Sequence, residues 1–420
     1  MSFQQGLSGL NATSKHLEVI GNNIANANTF GAKASRAEFA DMYALALNGA
    51  GNSGIGIGTN LAAVAQQFTQ GSIRTTENPM DLAINGAGFF QLTDGRSPIT
   101  YSRNGQFKVD RDGHVVNNTG LRLMGYAADA LGTIQPGAAV ALQLPTAGVA
   151  PQASTEINLE MNVDARQGVT RPAASPFIDF NDPHTYNSAT SQAVYDVLGN
   201  PVALTYFFQK TADGVWDVYA TANGTTVAGI PSDPQPITTI TFAADGSAPT
   251  SPTAPVAFDV PSTTTAAGAV TQAITGLLLD VTQATQFASP FGITDLAQDG
   301  YSAGQLTAIA IEGNGVVMAR YSNGQSRPAG QVELSNFRNP QGLQPIGDNG
   351  WARTFASGDP VGNVPGDGTI GVLQSGALEE SNVDLTGELV SMITAQRIYQ
   401  ANAQTIKTQD QILQTLVNIR

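Results

Sequence analysis

Cysteine is absent from this chain of 420 residues. That excludes disulfides, zinc–cysteine sites and thiol chemistry together, and leaves the redox compartment open. Charge is scarce as well: 12% of residues are charged, about half the globular norm. Basic residues are scarcer still, 19 Lys and Arg against 33 Asp and Glu for a formal net charge of −14, and between Arg122 and Arg320 only Arg166, Arg171 and Lys210 are basic. With no basic stripe to release counterions, a nucleic-acid partner is excluded and an anionic membrane surface is disfavoured. No apolar run approaches the length of a membrane span, so no membrane insertion is expected. Met1 to Leu10 has neither a basic flank nor an apolar core. A cleaved secretory signal is therefore not expected, which implies the cytosol or export by a route that reads no standard signal.

What the chain does have is glycine, 45 of them, and two ends unlike its middle. From Asp384 to Arg420, Leu385, Leu389, Met392, Tyr399, Ala403, Ile406, Leu413 and Val417 fall on alternating steps of three and four, with Gln396 and Asp410 breaking the seam. One narrow stripe of a long helix is apolar, and at 1.5 Å per residue that helix runs roughly 50 Å. After Gly387 nothing interrupts it, and Ser381 and Asp384 at its head have capping-box spacing. The amino-terminal end repeats the rhythm in Phe3, Leu7, Leu10, Ser14, Leu17, Gly21 and Ile24. A helix lying on a globular core shows a wider stripe. Seams this narrow need a second helix, so the ends are expected to form a terminal coiled-coil pair held apart from the main body.

The first seam runs into Gly21-Asn22-Asn23-Ile24-Ala25-Asn26-Ala27-Asn28-Thr29-Phe30-Gly31-Ala32-Lys33, a poor helix end that predicts a frayed exit. Residues 31–70, with Gly49, Gly51, Gly54, Gly56 and Gly58, read as an extended connector. Residues 71–145 change to period two. Candidate strands at 81–84, 89–92, 99–102, 106–109, 114–117 and 122–126 are separated by Asn85-Gly86, Asp94-Gly95, Asn104-Gly105 and Asp112-Gly113. Residues 146–300 shift to Ala, Thr, Ser and Pro, with strands at 203–209, 216–221 and 237–242. The earlier style returns over 301–375, with strands at 305–312, 316–321 and 331–334. The fold class is thus mainly β with nested antiparallel domains: an inserted domain interrupts an outer one (71–145 and 301–375), and helices 1–30 and 376–420 flank both.

Look-alike catalytic motifs fail on context. Gly49 to Gly54 matches a dinucleotide fingerprint, but no strand precedes it and Arg74 stands where the ribose-binding acid belongs. Gly300-Tyr301-Ser302-Ala303-Gly304 matches a nucleophile elbow, yet His16, His114 and His184 all precede the serine. Asp110-Arg111-Asp112-Gly113 lacks the later carboxylates of a calcium loop and reads as a hairpin turn. Glu379-Glu380 reads as acids favoured at a helix N-terminus. No catalytic, cofactor or metal constellation survives, and no enzyme is expected.

Four runs in order carry a resemblance: Asn22-Asn23-Ile24-Ala25-Asn26-Ala27-Asn28-Thr29; Asp81-Leu82-Ala83-Ile84-Asn85-Gly86-Ala87-Gly88-Phe89-Phe90; Tyr101-Ser102-Arg103-Asn104-Gly105-Gln106-Phe107; and Ser381-Asn382-Val383-Asp384-Leu385 with Ala395-Gln396-Arg397-Ile398-Tyr399-Gln400-Ala401-Asn402. Together these resemble the bacterial flagellar rod and hook family, with Asn22, Asn23, Asn26, Asn28 and Gly31 as motif positions. Thr29-Phe30-Gly31-Ala32-Lys33 departs from the family's usual Thr-x-Gly-Phe-Lys by placing its aromatic before the glycine. The length and large insertion resemble the hook members rather than the shorter rod members.

The resemblance implies a homopolymer outside the cell, exported unfolded by the flagellar type III apparatus. It would assemble under a hook cap into a curved tubular joint, contacting rod and hook–filament junction proteins. The self-assembly residues would be Phe3, Leu7, Leu10, Leu17, Ile24, Leu385, Leu389, Met392, Tyr399, Ile406, Leu413 and Val417. An isolated helix of the first segment's length is marginal in water, so both ends are expected to be largely disordered until subunits stack. Two alternatives stay open: a distal rod-type axial protein and an extracellular carbohydrate-binding β protein.

Overall fold

The computed structural model of the chain describes residues 2–42, 56–129, 132–135, 137–173, 177–265 and 268–418. Its chain divides into two compact units: Met1–Thr146 with Thr307–Arg320 and Ser326–Arg420, and Ala147–Leu306 with Tyr321–Gln325. In chain order the second is inserted into the first.

The first unit opens with helix α1 (Ser2–Asn26) and closes with helix α2 (Leu385–Asn418). α1 runs through Gly21, Asn22 and Asn23 to Asn26, so the frayed exit expected there is replaced by an ordered one. Turns with Ala27 N–H donating to Ile24 O and Thr29 N–H to Asn26 O carry the chain onward, and Gly31, Ala32 and Lys33 are buried. Tertiary hydrogen bonds from Asn23 to Ser35 and Glu388 offset the weak helix propensity of this stretch.

The stretch expected to be an extended connector folds back on itself. Strand β1 (Ser35–Met42) pairs antiparallel with β2 (Gly58–Gln66), with a register shift between Glu38 and Phe39. Gly49, Gly51 and Gly54 lie outside the described residues, as does the fingerprint look-alike that contains them. The base of the hairpin is pinned to α1: Gln5 Nε2 donates to Gly56 O at 2.6 Å. Gly58 sits at φ 139° where a Cβ would lie 1.9 Å from Ser8 Oγ, so only glycine fits.

Beyond the hairpin, a sheet orders the strands Leu306–Ile311, Val316–Tyr321, Ser326–Val332, Arg122–Ala127, Phe89–Thr93, Thr100–Ser102, Gly350–Ala352 and Gln344–Gly347. Leu82, Ile84, Phe90, Leu92, Leu123, Val332 and Leu334 form one core, and Phe89, Tyr101, Phe337 and Trp351 a second, aromatic one. Alternation along Arg122–Ala127 places Leu123 inward, as a half-buried strand requires. Asp110 Oδ1 accepts from the N–H groups of Asp112 and His114, and Gly113 takes φ 85°, which makes that segment a hairpin turn.

The second unit is a two-layer β-sandwich. One sheet runs Val256–Val260, Ile274–Asp280, Glu156–Asn162, Gly292–Gln298, and the other Ser188–Tyr195, Pro201–Ala212, Val215–Ala222, Thr238–Phe242, Pro249–Ser251. Leu159, Tyr206, Phe208, Trp216, Ile240 and Leu277 share its core. Glu156–Asn158 pairs in parallel with Leu278–Asp280, a departure from the antiparallel expectation.

Candidate assembly interface

α1 and α2 pack on each other, and the register of that packing is informative. Gly6, Thr13, Ile20 and Asn23 are buried on α1, with Gly9 and His16 half-buried between them. This is the expected three-and-four rhythm moved back one residue from Leu7, Leu10, Ser14, Leu17, Gly21 and Ile24, a rotation of about 100° about the helix axis. On α2 the inward positions Glu388, Ala395 and Asn402 likewise stand one residue before Leu389, Gln396 and Ala403. A Cβ on Gly6 would lie 3.1 Å from Ile406 Cγ1, and one on Gly9 2.8 Å from Asn402 Nδ2. At the far end Asn23 Nδ2 donates to Glu388 Oε1 at 2.8 Å, which fixes the pair as antiparallel.

Apart from Ile20 and Ile406 the inner seam is therefore small and polar, suited to close approach. The apolar stripe is left beside it. Phe3, Leu7, Leu385, Leu389, Tyr399 and Leu413 are exposed, Leu389 by 51%. Leu10, Leu17, Ile24, Met392 and Ile406 are half-buried. Val417 belongs to α2, and its side chain lies outside the described residues. Val390, Ile393 and Ile398 widen the exposed apolar face of α2.

The head of α2 differs from the expected capping box. Asp384 itself is the cap, its Oδ1 accepting from Thr386 N–H at 3.0 Å, while Ser381 stands outside and accepts from Val383 N–H. Glu379 and Glu380 are not at a helix terminus. Glu379 ends the strand Ala377–Glu379, and its side chain is wholly buried.

That glutamate is the centre of a junction that sequence reasoning missed. Lys33 Nζ lies 2.5 Å from its Oε1, and Arg103 Nη1 lies 3.1 Å from its Oε2. Gly71 N–H donates to Oε1 at 2.9 Å, Lys33 also donates to Thr69 O at 2.7 Å, and Arg103 Nη2 donates to Gly86 O at 2.9 Å. Burial pushes the Lys33 ammonium below its ordinary pKa, opposed by the Glu379 charge, and pushes the Arg103 guanidinium down in the same way. The segments after α1, after β2, within the β body and before α2 thus converge on one carboxylate.

One of the motif asparagines supports the same junction. Asn23 donates to Ser35 O at 2.8 Å and accepts from Ser35 N–H at 2.9 Å, tying α1 to the start of β1. Asn26 Nδ2 donates to Asn22 O, whereas Asn22 and Asn28 are exposed. Gly31 adopts φ 72°, and a Cβ there would lie 2.5 Å from Asn104 N. Asn382 Oδ1 accepts from Ala34 N–H at 2.7 Å while its Nδ2 donates to Gln67 O at 2.7 Å. Lys33, Arg103 and Asn382 all fall inside or beside the quoted runs. A lone cation within an otherwise apolar or turn-forming run was the available signal.

Among the described residues no group of His, Asp and Glu is placed to hold a metal, and no helix is long and apolar enough to cross a membrane. What the arrangement offers is an exposed apolar stripe on a firmly tethered helix pair.

Comparisons with known proteins agree with one another. Residues 3–33 match the family described as flagella basal body rod protein, 83–165 the flagellar hook protein FlgE/F/G D1 domain, 158–301 the flagellar basal body protein FlaE D2 domain, and 374–419 the flagellar basal body rod FlgEFG protein C-terminal region. The chain is 41% identical to the flagellar hook protein FlgE of Salmonella typhimurium over 422 residues, covering 100% of both chains. It is 40% identical to that of Escherichia coli over 428 residues, again covering 100% of both. Among solved structures, the Helicobacter pylori flagellar hook protein FlgE2 shares the fold with a TM-score of 0.54 at 16% identity, covering 73% of this chain and 100% of that one.

Proposed function

Because the chain belongs to the flagellar hook protein family, we propose that its outward apolar stripe is the surface through which successive copies stack. The protein is a structural subunit of the bacterial flagellar hook, the curved tubular joint between rod and filament that serves motility. The full-length identity to hook proteins carries this reading. The uncovered stripe supplies its physical basis. Each exposed leucine or isoleucine on α1 and α2 stabilises by roughly 1.5–3 kcal/mol when a neighbouring copy buries it. Such contacts between unlike patches, where the rotation between copies does not close a ring, propagate as a helical tube.

The helix pair is tied within one chain by the glycine-lined seam and the Asn23–Glu388 bond. Once both ends are helical, the step left to assembly is to cover the stripe.

We extend this reading to its finer assignments. The self-assembly residues are Phe3, Leu7, Leu10, Leu17, Ile24, Leu385, Leu389, Met392, Tyr399, Ile406, Leu413 and Val417. The partners are rod, hook cap and hook–filament junction proteins together with the type III export apparatus, the location is extracellular, and the role is non-catalytic. The domains are the helix pair, the hairpin, the outer β body and the inserted sandwich.

Electron microscopy of the purified chain with and without residues 1–30 tests the reading. Full-length protein is expected to form tubular polymers and the truncated protein none. Failure of the full-length chain to polymerise at any concentration, or normal polymers from the truncated one, overturns it.

A further inference from the structure

Phe355 is the most exposed large apolar side chain of the described residues, at 105% of its reference area. The loop that carries it is not loose. Thr354 Oγ1 donates to Gly342 O at 2.6 Å and accepts from the N–H groups of Ala356 and Ser357. The nearly buried Ser357 hydroxyl accepts from Thr354 N–H at 3.0 Å and donates to Thr354 O at 2.8 Å. Asn339 Nδ2 donates to Ala356 O, and a Cβ on Gly342 would lie 2.6 Å from Ala356 C. A flexible loop would fold its phenyl ring back onto the protein; this one holds the ring out in water, at a cost in hydration free energy that nothing within the chain offsets. Arg353 and Asp359 pair with each other beside it, which removes net charge from its flank.

The same unit holds a complementary hollow. Between α1, the β1–β2 hairpin and α2 lies a recess of about 290 Å³ walled by Gly9, Ala12, His16, Phe39 and Ile398. An apolar cavity of about 150 Å³ is enough to hold benzene. His16 and Phe39 meet edge to face at 6.0 Å, leaving ring surface for a third aromatic. Phe39 and Ile398 are exposed, and Phe355, being uncovered, does not fill the recess of its own chain. Ile398 also belongs to the uncovered apolar face of α2, so the recess is continuous with the proposed stacking surface.

We propose that Phe355 is a knob that seats in the recess of a second copy, between that copy's helix pair and its hairpin. Knob and hollow are different patches, so the contact repeats from copy to copy, as a helical polymer requires. The inference rests on the polymer reading above.

The experiment uses full-length chain carrying p-benzoyl-phenylalanine at position 355, co-polymerised with isotope-labelled wild type and photolysed. Expected are cross-links from position 355 to labelled peptides containing Gly9–His16, Phe39 or Ile398. Because the chain has no cysteine, Phe355→Cys with Ala12→Cys gives a second readout: covalent ladders on oxidation of polymers, absent with either substitution alone. Phe355→Ala is expected to raise the critical concentration roughly tenfold or more, with monomer melting unchanged because the ring touches nothing in its own chain. Cross-links confined to one copy, or to another surface, overturn the proposal, as does a wild-type critical concentration for Phe355→Ala. Wild type that never polymerises overturns the hook reading and this inference together, whereas normal wild-type polymers beside an unaffected variant overturn this inference alone.

Discussion

Lys33 Nζ and Glu379 Oε1 lie 2.5 Å apart with both side chains wholly buried, although 346 positions separate them in the chain. Since Arg103 shares the same carboxylate, one anion is held between two cations at the point where the helices meet the β body. A buried pair of this kind is a poor source of net stability but a strict determinant of arrangement, because breaking it strands a charge in a low-dielectric site.

Replacing the anion is therefore expected to be far worse than replacing either cation. Glu379→Ala leaves two buried cations facing each other and is expected to cost about 3–5 kcal/mol. Lys33→Met leaves the neutral Arg103–Glu379 pair and is expected to cost less. Urea unfolding followed by fluorescence of Trp351, with Trp216 of the other unit replaced by Phe, checks the order. Equal effects of the two substitutions contradict the shared-carboxylate arrangement.

Gly31 stands in the left-handed region with the Asn104 backbone where a side chain would begin. Gly31→Ala is expected to destabilise the first unit by more than the roughly 1–2 kcal/mol of the backbone conformation alone, because the atoms in the way belong to the Arg103–Asn104 backbone and cannot move aside like a flexible side chain. The midpoint in urea measures it. A shift no larger than that of Gly95→Ala, a position with open space and φ 76°, shows that crowding at Asn104 contributes nothing.

Removing the inserted sandwich, residues 150–295, is expected to leave chains that polymerise but form straight rather than curved tubes. Both helices, the hairpin and the buried junction lie outside the deleted span. Micrographs of the polymers decide this. Complete loss of assembly shows that the stripe on the helices is insufficient.

Asp94 gives a pH prediction. Its carboxylate accepts from the N–H groups of Arg96 and Ser97 and from the Ser97 hydroxyl, which holds its pKa down to about 2. A depressed carboxylate contributes stability above its unfolded value of 3.8, and that contribution is lost as pH falls toward the folded value. Carboxyl-carbon NMR titration is expected to place Asp94 near 2. Asp94→Asn is expected to flatten the acid limb of the stability curve between those two values.

The outer strands were legible because glycine turns bracket short alternating runs: Asn85-Gly86, Asp94-Gly95 and Asp112-Gly113 each fall beside observed strands at Leu82–Asn85, Phe89–Thr93, Lys108–Val109 and Val115–Val116. Strands such as Glu156–Asn162, Ser188–Tyr195 and Gly292–Gln298 escaped detection. Ser188–Tyr195 and Gly292–Gln298 are largely uncovered and alternate weakly, which hides the buried Val194, whereas Glu156–Asn162 alternates strictly with Ile157, Leu159 and Met161 inward, so its signal was present in the sequence. The β1–β2 hairpin was hidden for another reason. Its strands are mostly exposed, and pairing with each other and with α1 through Gln5 and Ser8 holds them, not an apolar face.

By itself the sequence determined that two long helices with narrow apolar stripes frame β domains, since helical and strand periodicities are local properties of residue order. It also determined the family, through runs that turn out to contain Arg103 and Asn382 and to stop just short of Lys33. Only the tertiary structure decided which face of each helix meets the other. The closest approach goes to Gly6 and Gly9, whose missing side chains admit Asn402 and Ile406, rather than to the leucines one position on. Periodicity reports that a stripe exists. Which neighbour covers it depends on how near two backbones can come, and that is settled by the smallest side chains rather than the most apolar ones.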